Sequence, residues 1–344
     1  MIRIAIVGAT GFTGVELVKL LKNHPEIDEI DLFSFNNSGK QIKCFSDELN
    51  DYDDVLLDYK KINFNNYDLI FFACPNGTVM DAYKEIRESK AKVIDLAADF
   101  RLDDYKDWDQ YYGLTHKFPY ELPSTVYGLT EINRDKVKAA KIVANPGCYP
   151  TAAIIALYPL LENELIFENR IIIDAKSGYS GAGRKNLDSG LGKNIQNNFI
   201  PYNVYKHRHH PEITQELNKA ASQNVDITFS PHVLPIYRGI LETIYVDIKK
   251  TDKFGCDVNY ERILEAYKEF YKKDYFIKIM GEEYSEIKDV INTNNAQISF
   301  HLGKNRRLTI VSVIDNLLKG AAGQAVQNMN LMLGFNELTA LNNE

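Results

Sequence analysis

Cysteine is scarce in this sequence, and long hydrophobic segments are missing altogether. The four cysteines, Cys44, Cys74, Cys148 and Cys256, stand far apart and form no C-x-x-C pair, which excludes the usual spacings of zinc and thioredoxin-type sites. No apolar run approaches the ~20 residues that cross a bilayer. The amino terminus, MIRIAIVGAT, has neither the charged region nor the long apolar core of a signal peptide. We therefore expect a cytoplasmic protein without a membrane segment and without disulfides.

The chain also lacks the positive charge that nucleic-acid binding requires. Its 40 lysines and arginines are outnumbered by 47 acidic residues, which gives a net charge of -7 at pH 7. Because the acidic residues are scattered, the surface would repel a phosphate backbone, and we expect no nucleic-acid partner. With 344 residues, 45% of them hydrophobic and 25% charged, the chain has the size and composition of a globular protein of about two domains.

The first half of the sequence alternates between strand-like and helix-like segments. Short β-branched or aromatic runs, typical of strands buried on both faces, occur at 2–7, 30–35, 69–73, 93–96 and 141–144. Apolar residues at helical spacing follow the first run as far as His24-Pro25, and recur at 79–89 and 152–161. This βαβ order predicts an α/β fold with a doubly wound, Rossmann-type nucleotide-binding domain.

After residue 170 the pattern changes to one typical of a mixed sheet. Strand-like runs occur at 171–174, 227–234, 240–249, 296–302 and 308–314. In the third run apolar and polar residues alternate, which predicts one wet face. A good hairpin turn, GKNR, separates the last two runs, and helical spacing in 260–271 predicts a helix that covers the dry face. We expect a second, α+β domain.

A glycine-rich turn connects the first predicted strand to the first helix. In GATGFTG, at 8–14, small residues let the backbone approach a pyrophosphate, whose charge is stabilised at a helix amino terminus. Tight strand-to-helix turns also use glycine without a ligand, but the position in the first βαβ unit favours a dinucleotide. The predicted contacts are Gly8, Thr10, Gly11, Phe12, Thr13 and Gly14.

The end of the second strand predicts which dinucleotide binds. NAD sites usually carry a carboxylate there for the ribose hydroxyls, whereas the segment FSFNNSGK has hydroxyls, amides and one lysine. This chemistry suits a 2′-phosphate, although a plain polar loop would have the same composition. We therefore predict NADP(H) as the cofactor. The predicted contacts are Ser34, Asn36, Ser38 and Lys40.

Cys148 differs from the other cysteines in its local sequence. It lies in ANPGCYPT, between a predicted strand and a predicted helix, and Pro150 suits a first helical turn. Free N–H groups and the dipole at a helix start favour the thiolate over the thiol. The usual alternative is a buried, unreactive cysteine. The context favours a nucleophile.

Two further segments carry groups that bind anions or move protons. Glycines, serines and an arginine in SGYSGAGR, at 177–184, suit an anion, although a flexible surface loop has the same composition. The segment HRHHPEI, at 207–213, contains three of the seven histidines. The arginine between them and the lack of further Cys or His ligands argue against a metal, so we predict acid–base chemistry and no metal cofactor.

Six segments together resemble the motifs of one enzyme family. In order they are GATGFTGVEL, DLAADFRL, ANPGCYPT, DAKSGYSGAGR, HRHHPEI and IDNLLKGAAGQAVQNMNLMLG. They are similar to N-acetyl-γ-glutamyl-phosphate reductases, whose plan is related to that of aspartate-semialdehyde dehydrogenases. The resemblance implies NADPH-dependent reduction of N-acetyl-γ-glutamyl phosphate to the 5-semialdehyde, in arginine biosynthesis, by a homo-oligomer (a dimer or tetramer).

The resemblance also implies domain limits and residue roles. A nucleotide-binding domain of residues 1–148 would be completed by the carboxy-terminal helix 316–344, and 149–315 would be the catalytic and oligomerisation domain. Cys148 would form a thioester. The implied substrate-binding residues are Arg101, Ser177, Ser180 and Arg184, and the further cofactor contacts are Pro75, Gly181 and Asn316. Phe35 stands where many members have an arginine, so its neighbours would have to bind the 2′-phosphate.

Among the three histidines we assign the acid–base role to His209 and substrate orientation to His207. In an extended segment, which Pro211 favours for the residue before it, residues two apart face the same side. Arg208 and His210 would then point away, and His210, which the family motif usually lacks, would be a surface residue.

Other functions remain open at this stage. The same chemistry could act on an N-succinyl or a carrier-linked aminoadipyl phosphate. ANPGCYPT and IDNLLKGAAGQAVQ argue against aspartate-semialdehyde dehydrogenase. A catalytically silent NADP-sensing regulator would need neither a cysteine at a helix start nor a histidine cluster.

Overall fold

Two hydrophobic patterns along the chain give two units of different architecture. The computed structural model describes residues 1–184 and 195–341. Its residues divide into one unit of Met1–Pro146 with Ala321–Glu344 and a second of Gly147–Gly320. Parts of the predicted domains 149–315 and 316–344, namely residues 185–194 and 342–344, lie outside the described residues.

The strands and helices are numbered along the chain. The strands are β1 (Arg3–Val7), β2 (Glu29–Ser34), β3 (Leu57–Asp58), β4 (Leu69–Phe72), β5 (Lys92–Asp95), β6 (Val126–Tyr127), β7 (Ile142–Ala144), β8 (Ile171–Gly178), β9 (Ile200–Pro201), β10 (Ile227–Leu234), β11 (Ile240–Asp247), β12 (Ile277–Gly281), β13 (Ala296–Leu302) and β14 (Arg307–Ile314). The helices are α1 (Phe12–Lys22), α2 (Thr78–Asp81), α3 (Tyr83–Glu88), α4 (Tyr105–Tyr112), α5 (Thr130–Ala139), α6 (Cys148–Glu162), α7 (His209–Asn218), α8 (Tyr260–Phe270) and α9 (Gly323–Leu333). Each predicted strand is present. The single helix predicted over 79–89 is wrong, because Ala82 interrupts it between α2 and α3.

The first unit contains a parallel sheet with the strand order β3-β2-β1-β4-β5-β7-β6. From β1 the strands β2 and β3 extend the sheet in one direction and β4, β5 and β7 in the other, with β6 at the edge beyond β7. Ile4, Ile6 and Ile70 in the central strands are fully buried, as expected for apolar runs covered on both faces. The predicted doubly wound, Rossmann-type fold is therefore confirmed.

Helix α9 belongs to the first unit and carries a buried amide network. Asn328 donates to the Gly128 carbonyl at 2.8 Å and to Asn145 Oδ1 at 3.1 Å, and Gln324 donates to Thr130 Oγ1 at 2.8 Å. A side chain at Gly128 would lie 2.6 Å from Asn328 Nδ2, so the close contact requires glycine there. These buried hydrogen bonds connect α9 to Gly128 and Thr130 and to Asn145, the residue that follows β7.

The second unit contains a mixed sheet with the order β12-β13-β14-β11-β8-β10-β9. β8 and β10 are parallel, whereas β11 is antiparallel to β8 and to β14. Buried and half-exposed residues alternate along β10 and β11, and α6 packs against β11 and β14. In the predicted turn between β13 and β14, Gly303 N–H donates to the Arg307 carbonyl at 2.8 Å. The predicted α+β domain with a mixed sheet is confirmed.

Helix α6 continues to Glu162 although Pro159 interrupts its hydrogen bonds. Proline has no N–H, so the Ile155 carbonyl loses its helical donor. The Tyr271 hydroxyl donates to that carbonyl at 2.7 Å, and Ser312 Oγ donates to the Ala152 carbonyl at 2.9 Å. The Tyr271 hydroxyl thus satisfies the carbonyl that Pro159 leaves without a helical donor. None of the helices in residues 1–184 and 195–341 is long and apolar enough to cross a membrane.

Glu242 is an acidic residue in the apolar interior of the second unit. It lies on β11 between the buried residues Ile240 and Ile244 and is itself fully buried. Neither carboxyl oxygen has a hydrogen-bond partner among the described residues. Burial raises the pKa of Glu242 well above its usual value, and the positive charge of Lys176 opposes this shift. The folded protein therefore holds this proton at pH values where the unfolded chain has lost it.

We expect Glu242→Gln to gain stability relative to the native protein as the pH rises from about 4 to 8. The unfolded chain releases the proton above a pKa of ~4.3, so the native protein loses stability as the pH rises from there towards the folded-state pKa. Glutamine keeps the shape of the glutamate side chain and cannot ionise. Urea unfolding of both proteins at about pH 4 and pH 8 measures the difference in their free energies of unfolding. The exposed Glu283→Gln is the control, and an equal pH dependence in the native protein and Glu242→Gln would contradict the prediction.

Candidate active site

Cys148 is the first residue of α6. The residue before it, Gly147, is extended, at φ -70° and ψ 155°, and has no side chain to cap the helix. Cys148 is half-buried. The first-turn N–H groups of a helix have no partner within it, and the dipole there favours a negative charge. This is the position that the sequence predicts for the nucleophile.

The ring of His209 packs directly against the backbone next to Cys148. A Cβ on Gly147 would lie 2.6 Å from His209 Nε2 and 2.9 Å from Cε1. Any larger residue at 147 would displace the ring, since real Cβ atoms do not approach so closely. His209 is itself buried, with 6% of its surface exposed. Gly147 thus lets a buried imidazole lie beside the predicted nucleophile.

Glu212 is a site residue that the sequence analysis missed. It is fully buried, and its Oε1 accepts the N–H of Gly147 at 2.8 Å. Glu212 follows His209 by three residues on α7, so both side chains lie on one face of that helix. The i, i+3 spacing would have indicated this pair if the segment had been interpreted as a helix start.

The extended geometry predicted for the histidine segment is wrong. Helix α7 begins at His209, and the N–H of His210 donates to the His207 carbonyl at 2.9 Å. Pro211 occupies the first helical turn, where its missing N–H has no cost, so its preference for an extended preceding residue is overridden. The rings of His207 and His209 nevertheless meet, at a centroid distance of 4.7 Å.

The neighbours of these histidines also depart from the prediction. Arg208 is exposed, but it also lines the same cavity as His207 and His209. His210 is half-buried rather than a surface residue, and burial lowers its pKa. Both differences follow from the helical turn, which rotates successive side chains by ~100° instead of alternating them.

His207 is held neutral in one tautomer. Burial and the positive charge of Arg208 lower its pKa to about 3. Its Nδ1 accepts the N–H of His209 at 3.1 Å, so the ring proton is on Nε2. A neutral imidazole with a fixed N–H orients a ligand but does not change charge near neutral pH. This favours His209 as the residue that exchanges a proton.

A small cavity of about 30 Å³ brings five of the predicted residues together. They are Cys148, Ser177, Gly181, His207 and His209. Tyr149 and Tyr202, which were not predicted, form an aromatic wall, with Tyr202 Oη 3.3 Å from Tyr149 Oη. The volume holds one or two water-sized groups, so it suits the reacting end of a substrate.

The loop after β8 is fastened by Asn316. Its Oδ1 accepts the N–H of Gly239 at 2.6 Å, and its Nδ2 donates to Ser180 Oγ at 3.0 Å. Both polar atoms of the amide thus have partners within the second unit, and its predicted contact with the cofactor stays a prediction. Gly181 lies close to Ser177, since a Cβ there would be 3.0 Å from Ser177 Oγ. Arg184 ends the described part of this loop.

The glycine-rich turn of the first unit packs closely against the protein's own backbone, and its predicted contacts with the cofactor stay a prediction. Gly8 has φ +88°, and a side chain there would overlap the Ala73 carbonyl, while one at Gly14 would overlap the Gly8 carbonyl. The N–H groups of Gly8 and Ala9 donate to the Phe33 carbonyl at 3.0 and 3.3 Å. Helix α1 then begins with Gly11 as an N-cap without a side chain. This cradle fits a pyrophosphate.

The polar segment after β2 is mostly exposed. Ser34 is buried, whereas the next residues are exposed, and Lys40 Nζ lies 3.1 Å from Asn37 Oδ1. Phe35 is 40% exposed and packs on Tyr59 at a ring distance of 4.6 Å. The exposed predicted contacts are Asn36, Ser38 and Lys40.

Two other predicted residues of the first unit have defined positions. Arg101 is buried; its Nε donates to the Asn145 carbonyl at 2.6 Å and its Nη2 to the Leu96 carbonyl at 3.3 Å. It therefore anchors the chain just before the Cys148 turn. Pro75 lies between β4 and α2, and its carbonyl accepts Thr78 Oγ1–H at 2.7 Å. No group of three or more His, Cys, Asp or Glu residues in 1–184 and 195–341 could hold a metal ion.

Two family models match most of the chain. The semialdehyde dehydrogenase NAD binding domain matches residues 3–140, and the semialdehyde dehydrogenase dimerisation domain matches residues 148–316. These descriptions agree with the architecture of the two units and indicate a nucleotide cofactor and an oligomeric protein.

Among solved structures, two aspartate semialdehyde dehydrogenases share the fold. Enzyme II of Vibrio cholerae gives a TM-score of 0.73 at 17% identity, covering 97% of this chain and 98% of the other. The Candida albicans enzyme with NADP gives 0.68 at 15% identity, with the same coverage.

Three curated proteins are similar over nearly the full chain, and each is an N-acetyl-gamma-glutamyl-phosphate reductase. That of Pelotomaculum thermopropionicum is 41% identical over 99% of this chain and 97% of its own. That of Vesicomyosocius okutanii is 43% identical over 98% and 97%, and that of Methanococcus vannielii 39% over 98% and 97%. Together with the cysteine at the start of α6 and the histidine beside it, this similarity shows that the chain belongs to the N-acetyl-gamma-glutamyl-phosphate reductase family.

Proposed function

We propose that this protein reduces N-acetyl-γ-glutamyl phosphate to N-acetylglutamate 5-semialdehyde and phosphate, a step of arginine biosynthesis. The observation that carries the proposal is the pairing of Cys148, at the first position of α6, with His209 packed against Gly147 beside it. The full-length relatives at 39–43% identity support the choice of substrate. We further propose a cytoplasmic homo-oligomer, for which the dimerisation-domain match is the support.

In the first step the Cys148 thiolate attacks the acyl carbon, and the bond from that carbon to the phosphate oxygen breaks. Phosphate leaves with the electron pair, and a thioester remains on Cys148. The N–H groups in the first turn of α6 can stabilise the negative oxygen that develops on the acyl carbon. A thioester accepts a hydride far more readily than a carboxylate, which is why a covalent step precedes reduction.

His209 acts as general base and general acid for the Cys148 thiol. It takes the thiol proton of Cys148 before attack, and it returns that proton when the reduced intermediate expels the sulfur and the aldehyde forms. His207, neutral and with its proton on Nε2, orients the substrate. The glycine cradle at 8–14 and the polar segment after β2 would hold NADP(H), which when bound supplies the hydride. Arg101, Ser177, Ser180 and Arg184 are the proposed substrate contacts.

The reverse reaction tests this function. N-acetylglutamate semialdehyde, phosphate and NADP⁺ should give NADPH, followed by its absorbance, and the N-succinyl substrate assayed alongside should react more slowly. Cys148→Ser should lose at least ~10³-fold in turnover, because a serine hydroxyl offers little alkoxide at neutral pH. Its NADPH affinity should not change. If Cys148→Ser kept a tenth of the activity, the thioester mechanism would be wrong. If the N-succinyl substrate reacted faster than the N-acetyl substrate, the natural substrate would carry a succinyl group.

The two buried histidines should respond differently to the same substitution. His209→Asn should lose at least ~10²-fold in turnover, since general acid–base catalysis is worth ~10²–10⁴-fold, and should slow alkylation of Cys148 near neutral pH. His207→Asn should mainly raise the substrate KM. His210 is half-buried, and His210→Asn, the control, should change neither turnover nor KM appreciably. If His207→Asn abolished turnover while His209→Asn only raised KM, the roles would be reversed.

Cofactor preference should depend on Lys40. We expect NADPH to bind more tightly than NADH, and Lys40→Ala to weaken NADPH by about 1–2 kcal/mol, the scale of a hydrogen bond to a charged group. NADH should be nearly unaffected, because it lacks the 2′-phosphate. Fluorescence titration of both nucleotides measures the change, with Lys43→Ala, a half-buried lysine paired with Asp53, as the control. Equal affinity of the native protein for both nucleotides would contradict the prediction.

A further inference from the structure

Gly320 lies directly against the predicted nucleophile. A Cβ built on Gly320 would be 2.8 Å from the Cβ of Cys148 and 3.2 Å from its Cα. Real Cβ atoms essentially never come within 3.0 Å of another atom, so something must shift if a side chain is added. The atoms in the way are those of Cys148 itself, and they belong to the first turn of a helix. The backbone at Gly320 therefore packs directly against Cys148 and prevents it from moving in that direction.

The chain at Gly320 has an uncommon conformation that one buried residue maintains. Residues Leu318–Ala322 form a π-helical turn, in which the N–H of Gly320 donates to the Asp315 carbonyl at 2.9 Å. Single π-turns are rare and occur frequently at functional sites. The Asp315 carboxylate supports the same turn, because its Oδ1 accepts the N–H groups of Leu317 and Leu318 at 2.9 and 3.3 Å.

The other oxygen of Asp315 connects this turn to two loops of the second unit. Oδ2 lies 2.8 Å from Arg238 Nε and accepts the N–H of Asn292 at 2.8 Å. Arg238 Nη1 also donates to Asn292 Oδ1 at 2.9 Å. The side chain of Asp315 is fully buried and that of Arg238 is 9% exposed. Removing one partner of such a buried pair leaves the other charge uncompensated, so a substitution of either residue disturbs the position of both.

We propose that Asp315 and Arg238 are positioning residues that hold Gly320 against Cys148 and so keep its sulfur at the start of α6, beside His209. The proposal rests on the proposed function only in taking Cys148 as the nucleophile. Its physical basis is that a misplacement of about 1 Å at a reacting atom can cost ~10²-fold in rate. The ion pair acts through the π-helical turn that contains Gly320, and it touches no reacting atom.

Gly320→Ala is the direct test. The added methyl group should displace Cys148 and lower kcat by ~10²-fold, while the dissociation constant for NADPH stays within twofold of the native value. Iodoacetamide alkylation of Cys148 should also become slower, and the pH at its half-maximal rate should rise, because the sulfur has moved away from the groups that favour its thiolate. Gly303→Ala, in the hairpin turn between β13 and β14 where a Cβ meets only the end of the Asn305 side chain and a carbonyl at 3.3 Å, should change none of these.

The ion pair is tested by Asp315→Asn, which keeps the shape of the residue and loses its charge. We expect slower alkylation at pH 7 and a raised half-maximal pH, as for Gly320→Ala. Arg238→Met should have the same effect, and the double variant should be no worse than the worse single variant, because both residues act through one turn. Arg238→Lys should restore part of the rate.

Alkylation separates this proposal from the proposed function. It needs no acyl phosphate, so a wrong substrate leaves it interpretable. If Gly320→Ala does not fold, Asp315→Asn and Arg238→Met give the answer at a temperature where their circular dichroism is native. The proposal would be overturned if folded variants had the native half-maximal pH of alkylation and a kcat within twofold of the native value. A loss of thermal stability with an unchanged pH profile would also overturn it, since that is what a purely structural pair would give.

Discussion

The site depends on close approach of other groups to the backbone at the start of α6. His209 reaches the chain beside Cys148 only because residue 147 has no side chain, and the π-turn reaches Cys148 only because residue 320 has none. The two contacts set the position of the predicted nucleophile from different parts of the second unit. An acidic side chain, Glu212, then holds the N–H of Gly147 at 2.8 Å. A thiol at a helix start is favourable for chemistry only if it stays there, and closely packed contacts leave it little room to move.

Helix α6 is suited to this task because hydrophobic burial and external hydrogen bonds stabilise it together. Nearly every residue after Cys148 is buried, so the helix cannot shift without opening the core of the second unit. Pro159 removes one internal hydrogen bond, and a tyrosine hydroxyl replaces it. The strand that leads into the helix is fixed independently, because Asn145 is bonded to Arg101 and to the amide network of α9 within the first unit. The carboxy-terminal segment thereby contributes to the order of the chain just before Cys148.

Much of this arrangement was predictable from local sequence, and the failures have physical causes. Buried strands could be located because β-branched runs have few alternatives, and Cys148 could be placed because glycine and proline mark a helix start. The histidine geometry failed because Pro211 has two compatible effects: it restricts the residue before it, and it also suits the first turn of a helix. Tertiary packing selected the second effect. Glu212 was missed as a consequence of that choice. The contacts of Gly320 with Cys148, and of Asp315 with Arg238, join residues far apart in sequence, and no local pattern encodes them.

The two buried histidines show how the fold, rather than the residue type, divides their roles. His207 and His209 are separated by one residue, and their rings are 4.7 Å apart. His207 accepts a backbone N–H at its Nδ1, and its burial together with the positive charge of the neighbouring, exposed Arg208 disfavours protonation. It stays neutral, and in our proposal it acts as a fixed hydrogen-bond donor to the substrate. His209 lies against Gly147 and lines the same cavity as Cys148, whose thiol proton we propose that it exchanges. A negative sulfur nearby favours an imidazolium, and an imidazolium in turn favours the thiolate, so each group supports the charge of the other. Because His207 stays neutral, no second imidazolium competes with that pair of charges.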